Sequence, residues 1–333
     1  MDELGAPEEL ARALASLPGP DEAARAAVAA RAAEVLRPAG ALARLDEIAA
    51  WLAGWRGSPP QVSSPACVVF VANHGVAVEG VSAYPAEATA SVLDALRAGE
   101  ATAPVLAAEV GAAFSAVDVG VGRPSGNLRV EPALDPVRFA EAIAAGRRAV
   151  ADLDCDLLVV GEMGIGNTTA AAAVAATLFG GPVEQWTGRG TGVDEEAYTR
   201  KVAVVEAARR RVGDDAPPPR VLREVGGAEL AAIAGALLEA RLRSVPVLLD
   251  GFVVTAAAAA LEAWAPGSLA HCLAGHRSSE PGHALLLEKL GMRPLLDLDL
   301  RLGEGSGALL AVPLVRAAAA AVARVATFEE WGA

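Results

Sequence analysis

Aromatic side chains are scarce in this 333-residue chain, which has 6 Phe, 2 Tyr and 5 Trp, so rings do not build its interior. The core must come from Ala, Val and Leu, because 53% of the residues are hydrophobic. Small side chains of this kind favour closely packed helices and buried parallel strands. Positive charge is short as well: 28 Lys and Arg face 41 Asp and Glu, for a net charge of -13. This argues against a nucleic-acid backbone as the main ligand, which needs a larger cluster of Lys and Arg than any found here. One small anion in a local pocket stays compatible, since backbone N–H groups and a single Lys or Arg can set the field there. The three cysteines, Cys67, Cys155 and Cys272, are widely spaced and form no C-x-x-C pair. They are expected to be reduced and buried, as in a cytoplasmic protein. The opening Met1-Asp2-Glu3-Leu4 lacks a charged-then-apolar signal pattern, and the apolar run from Ala308 is interrupted by Pro313 and Arg316. Neither secretion nor a membrane span is expected.

What is present has two rhythms. To about Arg56 the apolar positions (Leu10, Leu14, Val28, Leu36, Leu42, Ile48, Leu52) are helical, with breaks at Pro18-Gly19-Pro20 and Pro38-Ala39-Gly40. This predicts three short helices and a linker at Gly57-Ser58-Pro59-Pro60. Beyond it, short apolar runs end in Gly-rich or polar turns and lead into Ala-rich helices. The runs are Cys67 to Val71, Ala116 to Val119, Leu157 to Val160 and Val245 to Leu249. Continuous apolar strands alternating with helices predict an α/β fold with a parallel sheet covered on both faces. Ligands bind such sheets at the carboxyl ends of the strands. The Pro217-Pro218-Pro219 segment is expected to be an exposed loop, and a last helix from about Ala308 to Ala326 to return to the N-terminal helices. The expected division is residues 1–60 and 308–333 in a small helical domain and 61–307 in a catalytic α/β domain.

Three Gly-rich loops are candidates for chemistry. Gly161-Glu162-Met163-Gly164-Ile165-Gly166-Asn167-Thr168-Thr169 sits between a predicted strand and a helix. Glycines there let backbone approach a ligand, and the helix N-terminus offers N–H groups to an anion. A plain strand-to-helix turn with Thr168 as N-cap explains the segment equally well. It matches neither the P-loop nor the dinucleotide fingerprint. Gly188-Arg189-Gly190-Thr191-Gly192 precedes the helix that begins near Asp194 and carries Lys201. Arg189 and Lys201 can pair with phosphate, although each taken alone is more often a solvated charge. In Arg301-Leu302-Gly303-Glu304-Gly305-Ser306-Gly307 a carboxylate stands between two glycines. That puts Glu304 on bare backbone within reach of a flat ligand, as a general base requires; the alternative is a C-cap turn with a solvent-facing Glu. The run His271 to His283 holds three His and Glu280, but its spacing fits no metal motif, so hydrogen-bonded loop histidines are expected.

Taken together, these loops resemble the nicotinate-nucleotide:dimethylbenzimidazole phosphoribosyltransferases. The matching stretches are His74-Gly75-Val76 with Glu79-Gly80-Val81-Ser82, Gly161 to Thr169, Gly188 to Gly192, Arg223 to Gly227, Asp250-Gly251-Phe252, His276 to His283 and Arg301 to Gly307. They run in the family's order from about residue 65 onward. The resemblance implies a homodimer with a Rossmann-like large domain and a small helical domain built from both chain ends. It also implies transfer of the ribose phosphate of nicotinate mononucleotide to a benzimidazole-type base, without metal or organic cofactor. By the same resemblance Glu304 is the catalytic base, Glu162 the second active-site carboxylate and Lys201 the phosphate-side lysine. Ser82, Met163 and Leu302 lie on the base side, and Gly164, Ile165, Gly166, Gly188, Arg189, Gly190 and Gly303 complete the substrate contacts. Asn73 departs from the family, which usually has Asp before His-Gly, so any charge role there is lost. A relative acting on adenine or a phenol, or a nucleotide-binding protein without catalysis, are the alternatives.

Overall fold

The computed structural model describes residues 8–332, so the acidic opening Met1 to Leu4 and the outer ends of the two terminal segments lie outside it. Five parallel strands form the main sheet: β1 Pro65–Ala72, β2 Ala113–Gly120, β3 Leu157–Met163, β4 Val247–Leu249 and β5 Cys272–Ala274. Their spatial order is β2-β1-β3-β4-β5. The chain first winds one way from β1 to β2 and then the other way from β3 onward. The reversal falls between β1 and β3, where doubly wound sheets open a crevice beyond their carboxyl ends. A second, two-stranded parallel sheet pairs β6 His276–Arg277 with β7 Leu296–Asp297. β5, β6 and β7 are two or three residues long and were not expected from the apolar runs.

Alternation along β1 assigns the two faces. Cys67, Val69 and Val71 share a core with Leu157, Val159 and Leu248 and with the helix Ser306–Ala323. Ala66, Val68, Phe70 and Ala72 join Leu158, Val160, Val247 and Leu249 in the other core, under the helices Asn167–Phe179, Ala228–Leu242 and Phe252–Trp264. The small side chains allow the close packing that the scarcity of rings implied. A Cβ on Gly146, in the helix Pro136–Ala151, would lie 1.7 Å from the Ala232 carbonyl oxygen. Only a bare backbone fits that crossing.

Three N-terminal helices, Glu8–Leu14, Glu22–Glu34 and Ala43–Arg56, fall between the predicted breaks. Ala24, Val28 and Ala32 pack on Ala49, Ala53 and Val322, joining the first part of the chain to the last. Arg31 reinforces this by hydrogen-bonding the Val322 and Val325 carbonyls.

Two expectations are corrected. Pro217 to Pro219 is not a loop: Pro218 and Pro219 open the helix Pro218–Val225, where a missing N–H costs nothing, and Pro219 is buried. Pro313 does not interrupt Ser306–Ala323, which is long and apolar enough by length and composition to cross a membrane. Its Ala308, Leu309, Ala311, Val312 and Val315 pack into the core beneath the sheet instead. Arg316 on the same helix donates to the Val62 and Val110 carbonyls.

Candidate active site

A cavity of about 300 Å³ opens beside the carboxyl end of β3. The loops after β3 and β4 and the one preceding Ser306–Ala323 all line it.

Three successive residues with left-handed backbone build its carboxylate wall: Gly303 at φ 89°, Glu304 at φ 62° and Gly305 at φ 81°. Glycine adopts this conformation freely, whereas at Glu304 it is held against a cost. The loop lies directly on Gly161, where a Cβ would come within 2.3 Å of the Gly305 nitrogen. The Glu304 N–H donates to the Glu162 carbonyl at 3.0 Å, so the two carboxylates hang from one backbone junction. Glu304 is 9% exposed and Glu162 7%. Burial raises the Glu304 carboxyl above the ordinary carboxylate range and the Asp250 charge adds to this, against a backbone N–H at Ala103. Its Oε2 has no hydrogen-bond partner within the protein. Burial also pushes Glu162 well up, helped by the charges of Asp250, Glu229 and Glu304 and opposed by the Asn167 amide, which donates to it. The site therefore holds two buried carboxyls with raised proton affinity, one of them with an oxygen free to accept.

Next to the carboxylates, Ile165, Asn167 and Thr168 line the cavity where the helix Asn167–Phe179 begins. Gly166, not Thr168, occupies the cap position of that helix. Behind this wall lies Lys201, wholly buried, whose Nζ donates to Thr168 Oγ1 at 2.8 Å and to the Gly188 carbonyl at 3.0 Å. Burial lowers its pKa to about 8, with Glu280 pulling the other way. Lys201 thus ties the two Gly-rich loops together from behind rather than lining the space. Glu280 does line it, accepting the Gly190 N–H at 2.8 Å while its Oε2 is unpartnered.

Of the other residues singled out in the sequence, Met163, Gly164, Ile165, Gly190, Leu302 and Gly303 line the cavity. Gly166 lies just behind it, 3.3 Å (as a notional Cβ) from Val76. Gly188 faces Glu280, whose carboxylate oxygen would be 2.1 Å from a Cβ there. Two side chains do not meet the expectation. Arg189 turns to Glu195, to the Val193 carbonyl and to the Tyr198 ring. Ser82 is outside the wall, its hydroxyl accepting the Tyr84 N–H at 3.2 Å. The cavity cation is Arg301, which donates to the Gly190 carbonyl at 3.2 Å and was not singled out. Tyr84, Ala88 and Val92 form an apolar wall that the sequence reading also missed. Their isolated positions carry no motif.

Asn73 forms a clip between two loops. Its amide donates to the Ala86 carbonyl at 2.9 Å and its oxygen accepts the Gly122 N–H at 2.8 Å. The donor half of that clip, next to Tyr84 and Ala88, is one a carboxylate cannot supply. His283 is satisfied in the interior: Nδ1 accepts the Ser278 N–H at 2.9 Å, leaving Nε2 to donate to Thr255 Oγ1 at 3.0 Å. Burial lowers its pKa to about 3, so it is neutral.

A doubly wound sheet with two carboxyls over the end of a central strand, and a lysine-backed pair of Gly-rich loops beside them, make a cavity suited to a small ligand. A model of the phosphoribosyltransferase family matches residues 17–332, and the chain belongs to that family. Two relatives are the nicotinate-nucleotide--dimethylbenzimidazole phosphoribosyltransferases of Rhizobium meliloti and Mesorhizobium japonicum. The first is 48% identical over 96% of this chain and 94% of its own, the second 49% identical over 98% and 97%. The crystal structure of CobT from Thermus thermophilus superimposes with a TM-score of 0.89 at 44% identity, covering 93% of this chain and 98% of that one.

Proposed function

We propose that this phosphoribosyltransferase moves the ribose phosphate of nicotinate mononucleotide onto dimethylbenzimidazole, giving α-ribazole 5'-phosphate, the lower-ligand nucleotide of cobalamin, and nicotinate. The observation that carries this reading is the Glu304 carboxylate, with one unpartnered oxygen and a raised pKa, on the wall of a cavity that also presents the apolar side chains of Tyr84, Val92, Met163 and Leu302. Met163, Leu302 and Tyr84 offer flat-ring contacts. The helix N-terminus at Asn167 and the Lys201-backed loops offer N–H groups and charge to the 5'-phosphate.

In the reaction, one azole nitrogen uses its lone pair to bond to the ribose C1', while the C1'–N pair leaves with nicotinate, whose ring nitrogen sheds its positive charge. The proton on the other azole nitrogen passes to Glu304. Glu162, tied to Asn167, orients the substrates and through its backbone carbonyl holds the Glu304 peptide. Attack opposite the leaving group inverts C1'. The purified enzyme is therefore expected to release nicotinate only when an azole is present and to give the α anomer by NMR; a β product or a trapped ribosyl-enzyme would require two displacements. A panel that includes adenine and a phenol separates this acceptor from the alternatives.

Lys201→Ala is expected to raise the nucleotide KM by about tenfold to 150-fold, with a smaller change in kcat, since it removes charged hydrogen bonds to Thr168 and Gly188, worth roughly 1.5 to 3 kcal/mol, that hold the two Gly-rich loops in place. Its depressed pKa adds a pH signature. The ammonium that favours phosphate is present below about 8 and lost above it, so the wild-type nucleotide KM should climb as pH rises through about 8. A KM unchanged both by the substitution and by pH would place Lys201 outside nucleotide binding. We read the enzyme as a cytoplasmic homodimer, with residues 61–307 as the catalytic unit and both chain ends as a helical domain. The three buried unpaired thiols and the apolar cluster that joins residues 24–53 to Val322 support that reading.

A further inference from the structure

We infer that Asp250 is a positioning residue for Glu304, fixing the left-handed turn from below while His276 on the cavity wall balances its charge. The inference rests on Glu304 being the proton acceptor.

Asp250 is wholly buried just past the end of β4. Its Oδ2 accepts the Gly305 N–H at 3.0 Å and its Oδ1 accepts the Ala308 N–H at 3.0 Å. Together with the Glu304 N–H bond to the Glu162 carbonyl, this ties down both peptide planes that meet at the Glu304 Cα. A non-glycine residue in this region costs of order 1 to 3 kcal/mol and persists only where its surroundings over-determine it. At residue 304 the two anchors come from different strands, β3 and β4. Removing either leaves one peptide plane free to rotate and swing the carboxylate out of line.

The same side chain acts on charge. Burial alone would push the Asp250 carboxyl up, but the adjacent His276 imidazole, with the Ala308 and Gly305 N–H groups, holds it below the ordinary range. His276 Nε2 lies 3.2 Å from Asp250 Oδ1. Burial would depress the imidazole, yet the adjacent Asp250 carboxylate outweighs it and raises its pKa. The groups around Glu304 are therefore Glu162 from β3, Asp250 from β4, His276 from β6 and the Ala103 N–H from the helix Thr102–Glu109, with Arg301 on its own loop reaching to Gly190. Asp250 makes proton loss from Glu304 harder, and a protonated His276 makes it easier. Their removal must shift the titration in opposite directions.

The test is kcat against pH at saturating substrates for wild type, Asp250→Asn and His276→Gln, with thermal midpoints to show that each is folded. In Asp250→Asn the turn loses half its anchor and the negative charge. kcat should fall by roughly tenfold to 100-fold with little change in nucleotide KM, and its acid limb should move to lower pH. In His276→Gln the uncompensated carboxylate should move the acid limb to higher pH. Opposite displacements support the inference; limbs that stay in place, or move the same way, in folded variants overturn it. Should Asp250→Asn not fold, the His276→Gln profile decides alone, an upward shift supporting and an unmoved limb overturning. A wild-type profile without an acid limb, together with an active Glu304→Gln, would instead strike the base assignment itself.

Discussion

Glu304→Gln is expected to lower kcat by about 10² to 10⁴ while the nucleotide KM stays within a few-fold of wild type. Gln keeps the size of the side chain and can still accept from the Ala103 N–H that faces it, but it cannot take a proton. The carboxylate differs from an ordinary surface Glu in three linked ways: a left-handed backbone, burial that raises its proton affinity, and one oxygen left unpartnered. Glu162 shares the burial, yet its carboxylate accepts from Asn167 and its backbone carries the Glu304 N–H. Glu162→Gln should therefore disturb geometry as much as proton transfer, and the double variant should fall short of the product of the two losses, because groups acting as one unit are not additive. Near-wild-type turnover in Glu304→Gln with none in Glu162→Gln would exchange their roles.

Gly161→Ala is expected to be nearly as damaging without touching a functional group. The added methyl would sit 2.3 Å from the Gly305 nitrogen and 2.5 Å from the Glu304 carbonyl carbon, so the loop must lift off β3. A displacement of about 1 Å at a catalytic group can cost roughly 10² in rate, and overpacking of this kind costs about 1 to 3 kcal/mol of stability. Steady-state kinetics and thermal unfolding of the folded variant give both numbers. Full activity with unchanged stability would mean that the loop does not depend on its seat against β3.

Parts of this site were legible in the sequence because they are local. The helix begun by Asp194 was legible because that side chain caps Ala197, and β1 because all eight of its residues are apolar and buried. Glu304 was legible because two flanking glycines are a local signature of unusual backbone. Residues whose roles depend on tertiary packing were harder to place. Asp250 was visible only as part of a matched Asp-Gly-Phe, and its grip on Gly305 and Ala308 joins residues more than fifty apart. Arg189 and Arg301 both stand in Gly-rich loops, and only the first was expected to meet phosphate. The Glu195 carboxylate and the Tyr198 ring, one helical turn apart, captured the first and left the second on the cavity wall. The helix Ser306–Ala323 was legible as a last helix from about Ala308, and burial of its apolar face outweighs the local penalty of Pro313.

The most direct test of the account compares wild type with Glu304→Gln on two acceptors, benzimidazole and its N-methyl derivative, following nicotinate release at saturating nucleotide. N-methylbenzimidazole can attack C1' through its free nitrogen but has no proton to lose. If Glu304 acts by taking that proton, the substitution should cost about 10² to 10⁴ in rate with benzimidazole and less than about tenfold with the methylated base. An equal loss on both acceptors would contradict the account, because Glu304 would then be acting on the ribose or on the fold rather than on the proton.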